Sequence, residues 1–277
     1  MIIVLDALNK DRLSHLLDEM FALRARVFGE RLGWEVEIEN GQERDVFDDL
    51  DPAYVIGLDE EGHVVSCVRA LQTTGPHMLS DVFHDILGGE PPLRSPNLWE
   101  STRFCVDTDR LTRNGGGMTS VNKATCELMI GSLEYARMAG ISDIVTVIDP
   151  VMNRVLKRSD CAPYDYVGNT VQMGKVKALA ALLDTGEERV RRLRDYAGID
   201  HDVFLTDEQA LALAPAPAAE PLVSRDQLVR YCADQIIAAP SAKERRAAER
   251  LCETLLDGAE MERAIGMARK AALKPAL

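Results

Sequence analysis

Apolar residues recur along the first two thirds of the chain with the spacing of strands and helices in succession. Short segments of five to ten residues, rich in apolar and β-branched side chains, predict strands at 1–6, 54–58, 64–71, 98–107, 143–148 and 166–173. Apolar residues three and four apart predict helices at 11–27, 119–139 and 150–158, with a shorter amphipathic piece at 78–87. Residues 175–183 fit either a strand or a helix, and a strand is favoured. This order predicts an α/β fold with a mixed sheet and helices on its faces.

One long segment, 29–52, lacks periodicity and is rich in acidic side chains. Loops of this length are unusual in compact domains and are most often either functional or disordered. Trp34 lies within the segment, which favours an ordered loop that contributes to a site. Arg24 and Phe28, at the end of the preceding helix, are four residues apart and can therefore share one helical face.

The last quarter of the chain stands apart from this succession. An alanine- and proline-rich stretch at 211–221 has the composition of a linker. Two helices are predicted beyond it, at 224–239 and 241–271, with Ser224 and Ser241 as N-caps. The predicted boundaries are a domain at 1–208, an Ala/Pro linker at 209–222 and a helical C-terminal extension at 223–277. The extension shows no catalytic group of residues, and we expect it to pack on the domain or to mediate association.

The charge distribution excludes one class of partner. The net charge of the 277-residue chain is −13, and residues 1–60 alone hold fifteen acidic and six basic side chains. Phosphate backbones attract the opposite sign, so nucleic acid is not an expected partner. Most of these carboxylates are expected to be solvated, and a few could form a negative field for a cationic small molecule.

Cysteine usage and hydropathy indicate the cellular compartment in which the protein is expected. Its six cysteines include no Cys-x-x-Cys pair, which predicts reduced, buried thiols rather than disulfides or a metal site. No apolar run approaches the length of a membrane span. The apolar N-terminal run is too short for a secretory signal, so a cytoplasmic protein is expected.

Nine uncommon residues in the first 103 positions suggest a chemistry. They combine arginines, carboxylates and aromatic rings, and they are Arg24, Phe28, Trp34, Asp45, Asp48, Arg69, Phe83, Glu100 and Arg103. Aromatic faces and carboxylates suit a cationic substrate such as a sulfonium amino acid, and an arginine suits its carboxylate.

In their order and spacing, these residues resemble the LuxI-type acyl-homoserine-lactone synthases, over roughly residues 1–200. The resemblance implies an acetyltransferase-like α/β fold and no permanently bound cofactor or metal. It implies S-adenosylmethionine as one substrate and an acyl-carrier protein, or acyl-coenzyme A, as the acyl donor. The amine of S-adenosylmethionine would be acylated. Its carboxylate would then close a homoserine lactone and expel 5′-methylthioadenosine, giving a quorum-sensing signal.

The same resemblance implies roles for individual residues. Those expected to bind S-adenosylmethionine are Arg24, Phe28, Trp34, Phe83 and Arg103. Those expected to form the catalytic network are Asp45, Asp48, Arg69, Glu100 and Arg103. Glu100 is the expected base, directly or through a water, and N–H groups of 101–106, at a bulge, would bind the thioester oxygen. Thr146 resembles an acyl-pocket threonine of members that make 3-oxo-acyl products.

Other interpretations stay open at this point. Taken singly, the aromatic residues could be core, the aspartates solvated, and the arginines and Glu100 salt-bridge partners. Another N-acyltransferase of the acetyltransferase superfamily would need a pyrophosphate loop, which 113–118 matches only loosely. A non-catalytic binding module on the same fold is the third possibility. A methyltransferase is disfavoured because no Gly-x-Gly-x-Gly turn follows the first strand.

An acidic carrier protein would have to approach a chain that is itself acidic. Two basic stretches could form a docking surface for it. The first comprises Arg154, Lys157, Arg158, Lys175 and Lys177, and the second is the run Arg189–Arg194.

Overall fold

A computed structural model describes residues 1–112, 117–174, 176–213 and 225–272. The chain divides into two compact units, Met1–Pro215 and Ala216–Leu277. None of the described helices combines the length and the apolar character needed to cross a membrane.

The first unit contains a seven-stranded sheet. Its strands are β1 (Ile2–Leu5), β4 (Ala53–Leu58), β5 (Val64–Gln72), β6 (Leu98–Val106), β7 (Asp143–Ile148), β8 (Asp165–Met173) and β9 (Val176–Asp184). A separate two-stranded ladder joins β2 (Ile38–Glu39) to β3 (Gln42–Glu43). The sheet order is β1-β4-β5-β6-β7-β9-β8, with β6 and β7 parallel and the other neighbours antiparallel. The predicted mixed α/β sheet is therefore confirmed, and residues 176–184 are a strand.

Helices cover both faces of this sheet. They are α1 (Ser14–Arg24), α2 (Met78–Asp81), α3 (Thr108–Leu111), α4 (Gly117–Met138), α5 (Pro150–Arg158), α6 (Glu187–Ala197) and α7 (Asp207–Leu213). α4 packs on one face in a core with Ile2, Val55 and Ile144, and α1 packs on the other with Ile3, Ile56 and Cys67. Of the stretch 113–118, which loosely matches a pyrophosphate loop, only Gly117 and Met118 lie within the described residues, at the start of α4.

The first predicted helix ends differently from the prediction. The α-helix stops at Arg24 and continues as a π-helix over Ala25–Arg31, so it runs into the stretch predicted as loop. The Leu32 N–H donates to the carbonyl of Val27 at 3.0 Å, which is the five-residue spacing of a π-helix. The rest of that stretch is also ordered, with the β2–β3 ladder followed by a 3₁₀ turn over Val46–Leu50. π-Helical turns, such as the one over Ala25–Arg31, are frequent at functional sites.

Two irregularities in β6 create room in the middle of the sheet. The parallel ladder with β7 ends at the pair Ser101 and Thr146, so the two strands separate beyond it. On its other side, β6 has a bulge, because Arg69 pairs with Thr102 while Cys67 pairs with Cys105. Arg103 occupies the bulge with a φ of +57°, an unusual value for a residue with a side chain. The sheet therefore opens on one side of β6 and bends on the other.

β8 carries a bulge between Val167 and Val171, where Gly168 has a φ of +64°. A Cβ at Gly168 would lie 2.0 Å from the carbonyl oxygen of Ile86, a backbone atom of the 3₁₀ turn His84–Leu87. We expect Gly168→Ala to lower the free energy of unfolding by about 3 kcal/mol in urea denaturation, from left-handed strain and this clash. Gly174→Ala is the control: its φ is +54° but no described atom lies within 4 Å of the new Cβ, so about 1 kcal/mol is expected. Equal losses in the two variants would contradict the clash.

Over its described residues, 225–272, the second unit comprises three helices: α8 (Arg225–Ala238), α9 (Ala242–Leu255) and α10 (Gly258–Ala272). They enclose a small core of their own with Val229, Cys252 and Ala264 at its centre. Ser241 caps α9 as predicted, since its hydroxyl accepts from the N–H of Glu244 at 3.2 Å. Ser224 lies outside the described residues.

Two predicted boundaries in the C-terminal part need correction. The single helix predicted at 241–271 is divided at Leu256, which is extended, and Asp257 starts a new helix by accepting from the N–H of Glu260 at 2.9 Å. The predicted linker begins too early, because residues 207–213 form α7. Thr206 caps this helix by accepting from the N–H of Gln209 at 3.2 Å. The remaining predicted linker, 214–222, lies outside the described residues.

Candidate active site

Three arginines and three carboxylates form a largely buried ionic network where α1, β3, β5 and β6 meet. Its members are Arg24, Arg69, Arg103, Glu43, Asp45 and Asp48. Five of the six were predicted site residues, and Glu43 was not. Arg24 and Arg69 are fully buried, which rules out an interpretation of these two as exposed surface ion pairs.

Asp48 is the centre of this network. Its Oδ1 accepts from Arg24 Nη1 at 2.8 Å, Arg69 Nη1 at 2.7 Å and the Tyr54 hydroxyl at 2.8 Å. Its Oδ2 accepts from Arg24 Nη2 at 3.0 Å and from the N–H of Asp45 at 2.9 Å. Burial by itself would raise the pKa of Asp48, but the hydrogen bonds and charge of Arg24 and the charge of Arg69 hold it well below its usual range. Asp48 is therefore ionised at any physiological pH.

Asp45 connects the other two arginines. It caps the 3₁₀ turn, accepting from the N–H of Phe47 at 2.9 Å. Its Oδ1 accepts from Arg69 Nη1 at 2.5 Å, and its Oδ2 accepts from Arg69 Nη2 at 3.0 Å and Arg103 Nη2 at 2.7 Å. The turn thus fixes the direction of two guanidinium groups through one carboxylate.

Glu43 is the member that the sequence interpretation missed. Its side chain is fully buried at the end of β3 and accepts from Arg24 Nε at 2.5 Å and from Arg103 Nη2 at 3.0 Å. The available signal was its position two residues before Asp45, but that signal is weak in a stretch so rich in acids.

An aromatic pair lies beside the network. The rings of Phe28 and Trp34 stack with centroids 5.1 Å apart and planes at 28°. The Arg103 guanidinium carbon lies 5.6 Å from the Phe28 centroid. Trp34 remains 44% exposed, so part of its ring is free to contact a ligand. These rings and the guanidinium offer surfaces for a planar or cationic group.

A cavity of about 620 Å³ begins at this pair and runs into the opening between β6 and β7. Predicted site residues that line it are Phe28, Trp34, Phe83, Arg103 and Thr146. Its far end is apolar, with a wall that includes Met129, Leu133, Met152, Leu156 and Leu183. The cavity therefore has one polar, aromatic end and one apolar end.

The hydroxyl of Thr146 points to the neighbouring strand. It donates to the carbonyl oxygen of Ser101 at 3.0 Å and so bridges the last pair of the β6–β7 ladder. Ser132, another hydroxyl in the wall, donates to the carbonyl of Leu128 at 2.6 Å. Both protons are engaged within the protein.

Glu100 lies apart from the cavity, although its strand neighbours Ser101 and Arg103 line it. It is fully buried, and its two carboxylate oxygens accept from the N–H groups of Met78 and Leu79 at 2.6 Å each. Burial raises the pKa of Glu100 to about 7, against the lowering effect of those two hydrogen bonds and of Arg69.

The two predicted basic stretches differ in the structure. Within the run Arg189–Arg194, each arginine forms an ion pair inside the chain. The pairs are Arg189 with Asp184, Arg191 with Glu188 and Asp195, Arg192 with Asp160 and Glu188, and Arg194 with Glu134. The positive charge of this run is therefore partly compensated within the chain, and its role in docking stays a prediction. Arg154, Lys157 and Arg158 on α5 and Lys177 on β9 are exposed. Lys175 lies outside the described residues.

With this geometry in place, comparison with known proteins identifies the family. The family model described as autoinducer synthase matches residues 9–193. The chain belongs to the autoinducer synthase family. It is 36% identical over 181 residues to a probable acyl-homoserine-lactone synthase of Sinorhizobium fredii, covering 65% of this chain and 86% of that protein. It is also 36% identical over 173 residues to an acyl-homoserine-lactone synthase of Agrobacterium fabrum, covering 62% and 81%.

Solved structures of acyl-homoserine-lactone synthases share the fold of this autoinducer synthase. The crystal structure of LasI matches with a TM-score of 0.60 at 29% identity, over 70% of this chain and 94% of LasI. The structure of BjaI, a CoA-dependent synthase solved with SAM and isopentyl-CoA, matches with a TM-score of 0.64 at 25% identity, over 76% and 97%. The family match ends at residue 193, so it leaves the C-terminal unit outside.

Proposed function

We propose that this chain is an acyl-homoserine-lactone synthase that uses S-adenosylmethionine and an acyl thioester. The amine of S-adenosylmethionine attacks the thioester carbonyl, which forms an amide and releases a thiol. The carboxylate then attacks the γ-carbon, which forms the lactone and releases 5′-methylthioadenosine. Family membership supports this reaction, as do the structures of BjaI solved with SAM and isopentyl-CoA and with MTA.

The observation that carries the proposal is the two-ended cavity. A reaction between a charged amino acid and an acyl chain needs both ends in one space, with the reacting atoms at their junction. The junction here is the separation point of β6 and β7, where Arg103 and Thr146 both line the wall. Holding two substrates in one orientation supplies a large part of the rate of such a transfer.

The polar end is proposed to hold S-adenosylmethionine. Phe28 and Trp34 offer ring faces for the sulfonium and the adenine, and Phe83 closes the wall. Arg103 is the network guanidinium that lines the cavity, and it is proposed to bind the substrate carboxylate. Arg24, Arg69, Asp45 and Asp48 then act behind it by fixing its position.

The backbone of β6 supplies the electrostatic part of acyl transfer. Attack on the thioester places negative charge on its oxygen, and N–H groups directed at that oxygen lower the barrier. Beyond Ser101, β6 has no ladder partner on the side of β7, and the bulge at Arg103 redirects its backbone. N–H groups of Thr102–Phe104 are therefore proposed as the oxyanion donors. Neither step requires a nucleophilic side chain.

The apolar end is proposed to hold the acyl chain. Its walls are aliphatic and sulfur-containing side chains of α4, α5, β7 and β9. A 3-oxo group could use Thr146 only if its hydroxyl turned away from the carbonyl of Ser101. A preference for 3-oxo chains stays a prediction that substrate comparison can decide.

An acidic acyl-carrier protein is proposed to dock on α5. Arg154, Lys157 and Arg158 are exposed there, and Met152 and Leu156 of the same helix line the apolar end of the cavity. We expect Lys157→Glu to raise the KM for an acyl-carrier thioester on the order of 10-fold at low salt, with a smaller effect as salt is added. Lys123→Glu, an exposed change on α4, is the control and should leave KM unchanged. An unchanged KM in Lys157→Glu would place the carrier elsewhere.

Mass spectrometry of the full-length protein tests the function directly. The protein is incubated with S-adenosylmethionine and a panel of acyl-carrier and acyl-coenzyme A thioesters, both 3-oxo and unsubstituted. Acyl-homoserine lactone and 5′-methylthioadenosine should appear together, and the most productive thioester names the donor and the chain. A folded protein that forms neither product across the panel would point to another acceptor or to a binding module.

A further inference from the structure

The placement of Glu100 conflicts with direct proton transfer from the substrate. Its carboxylate is fully buried and is not among the described groups that line the cavity. Both of its oxygens accept short hydrogen bonds, from consecutive backbone N–H groups at Met78 and Leu79. A general base has to reach the proton that it removes, directly or through one water. These two bonds direct the carboxylate to the start of α2 instead.

The segment that Glu100 holds does line the cavity. Met78 is part of the wall, and its sulfur accepts from Arg69 Nη2 at 3.3 Å and lies 3.5 Å from Arg103 Nη1. The N–H of Phe83, another wall residue, donates to the carbonyl of Met78 at 2.8 Å. Contacts therefore run from Glu100 through Met78 to the arginine proposed to bind the substrate carboxylate.

We propose that Glu100 is a positioning residue, which fixes the start of α2 so that Met78 and Phe83 shape the S-adenosylmethionine end of the cavity. This inference rests on the proposed function. Glu100 acts equally on both steps of the reaction, because both steps use the same bound amino acid. A base would act on acylation alone, since lactone closure removes no proton from the amine.

Protonation provides a second distinction. The charged groups facing Glu100 are Arg69 on β5 and Asp81 on α2, and burial raises the pKa of Glu100 to about 7. A protonated carboxyl keeps full acceptor strength on one oxygen only, so its hold on α2 weakens as pH falls through 7. A positioning role therefore predicts an acid limb in both half-reactions.

The test measures the two half-reactions of Glu100→Gln separately, in the full-length protein. Acylation is followed by thiol release from an acyl thioester with S-adenosylmethionine. Lactone closure is followed by 5′-methylthioadenosine release from synthetic N-acyl-S-adenosylmethionine. Both rates should fall by similar factors, on the order of 10-fold, and both should lose their acid limb. Loss of acylation with unchanged lactone closure would overturn the inference in favour of a base.

Two further variants keep the result decisive. Met78→Ala removes the intermediary and no ionisable group, so it should also slow both half-reactions, and unchanged rates would contradict the chain of contacts. Glu90→Gln, at an exposed glutamate, is the matched control. Hydrogen exchange over 77–83 gives a readout that is independent of activity. Exchange over this segment should be faster in Glu100→Gln than in the wild-type protein, whether or not the wild-type protein forms lactone. If exchange is faster but the wild-type protein forms no lactone by either route, the proposed function is rejected and the positioning of α2 by Glu100 stands.

Discussion

Replacing Asp48 by asparagine is expected to lower the free energy of unfolding by about 3–5 kcal/mol. Asp48 accepts four side-chain hydrogen bonds, three of them from Arg24 and Arg69, which are fully buried. An asparagine presents one oxygen and one NH₂ group, so it removes the negative charge and sets a donor against a guanidinium. Urea denaturation followed by circular dichroism measures the loss.

The neighbouring Asp49 provides the control. It is exposed, so Asp49→Asn makes the same chemical change without removing a buried partner, and a loss below about 0.5 kcal/mol is expected. Similar losses in the two variants would show that the network does not contribute to stability as described.

The same substitution should change how stability depends on pH. The pKa of Asp48 is lowered in the folded state, so its contribution is fully present above the unfolded value of about 4 and is lost as pH falls toward the folded value. The wild-type protein should therefore lose more stability than Asp48→Asn as the pH falls from about 5 to about 2. Parallel curves for the two proteins would contradict the lowered pKa.

Replacing Arg103 by lysine is expected to lower kcat/KM for lactone formation on the order of 100-fold. The guanidinium of Arg103 is held by Glu43 and Asp45 and also faces the cavity, and a lysine keeps the charge but not the planar set of donors. The substrate carboxylate would be displaced, so lactone closure should slow together with binding. Coupled measurement of lactone and 5′-methylthioadenosine gives kcat and KM.

An arginine elsewhere shows whether the effect is local. Arg137 on α4 forms an exposed ion pair with Glu187, and Arg137→Lys should leave kcat/KM unchanged. A loss of activity in Arg103→Lys that is matched by loss of folded protein would show a structural effect. Near-normal kcat/KM would remove Arg103 from the proposed site.

The charged residues could be singled out from the sequence because their order and spacing resemble those of a known family, and such a resemblance can be read without knowing the fold. Arg24, Asp45, Asp48, Arg69 and Arg103 do converge in the structure. Glu43 could not be selected in the same way, since only its burial sets it apart from the other acids of that segment. Charge identifies a candidate, and only tertiary packing shows which charges share a low-dielectric space.

The direction in which the Glu100 side chain points could not be predicted from the sequence either. Strand alternation shows which residues share a face, but the bulge at Arg103 changes that alternation within β6. The hydrogen-bond partners of Glu100 come from Met78 and Leu79, in a four-residue helix whose packing no periodicity reveals. The π-helical continuation of α1 was missed for a related reason, since a wider turn leaves no distinct apolar spacing.

The two ends of the cavity come from different parts of the gene. The ionic and aromatic end is encoded between residues 24 and 103, and the apolar end mostly between 129 and 183. Substitutions that lengthen or shorten the apolar end therefore leave the paired charges of the other end untouched. Under the proposed function, single substitutions at the apolar end can change which acyl chain the signal carries during evolution, while the residues of the lactone-forming end are inherited unchanged.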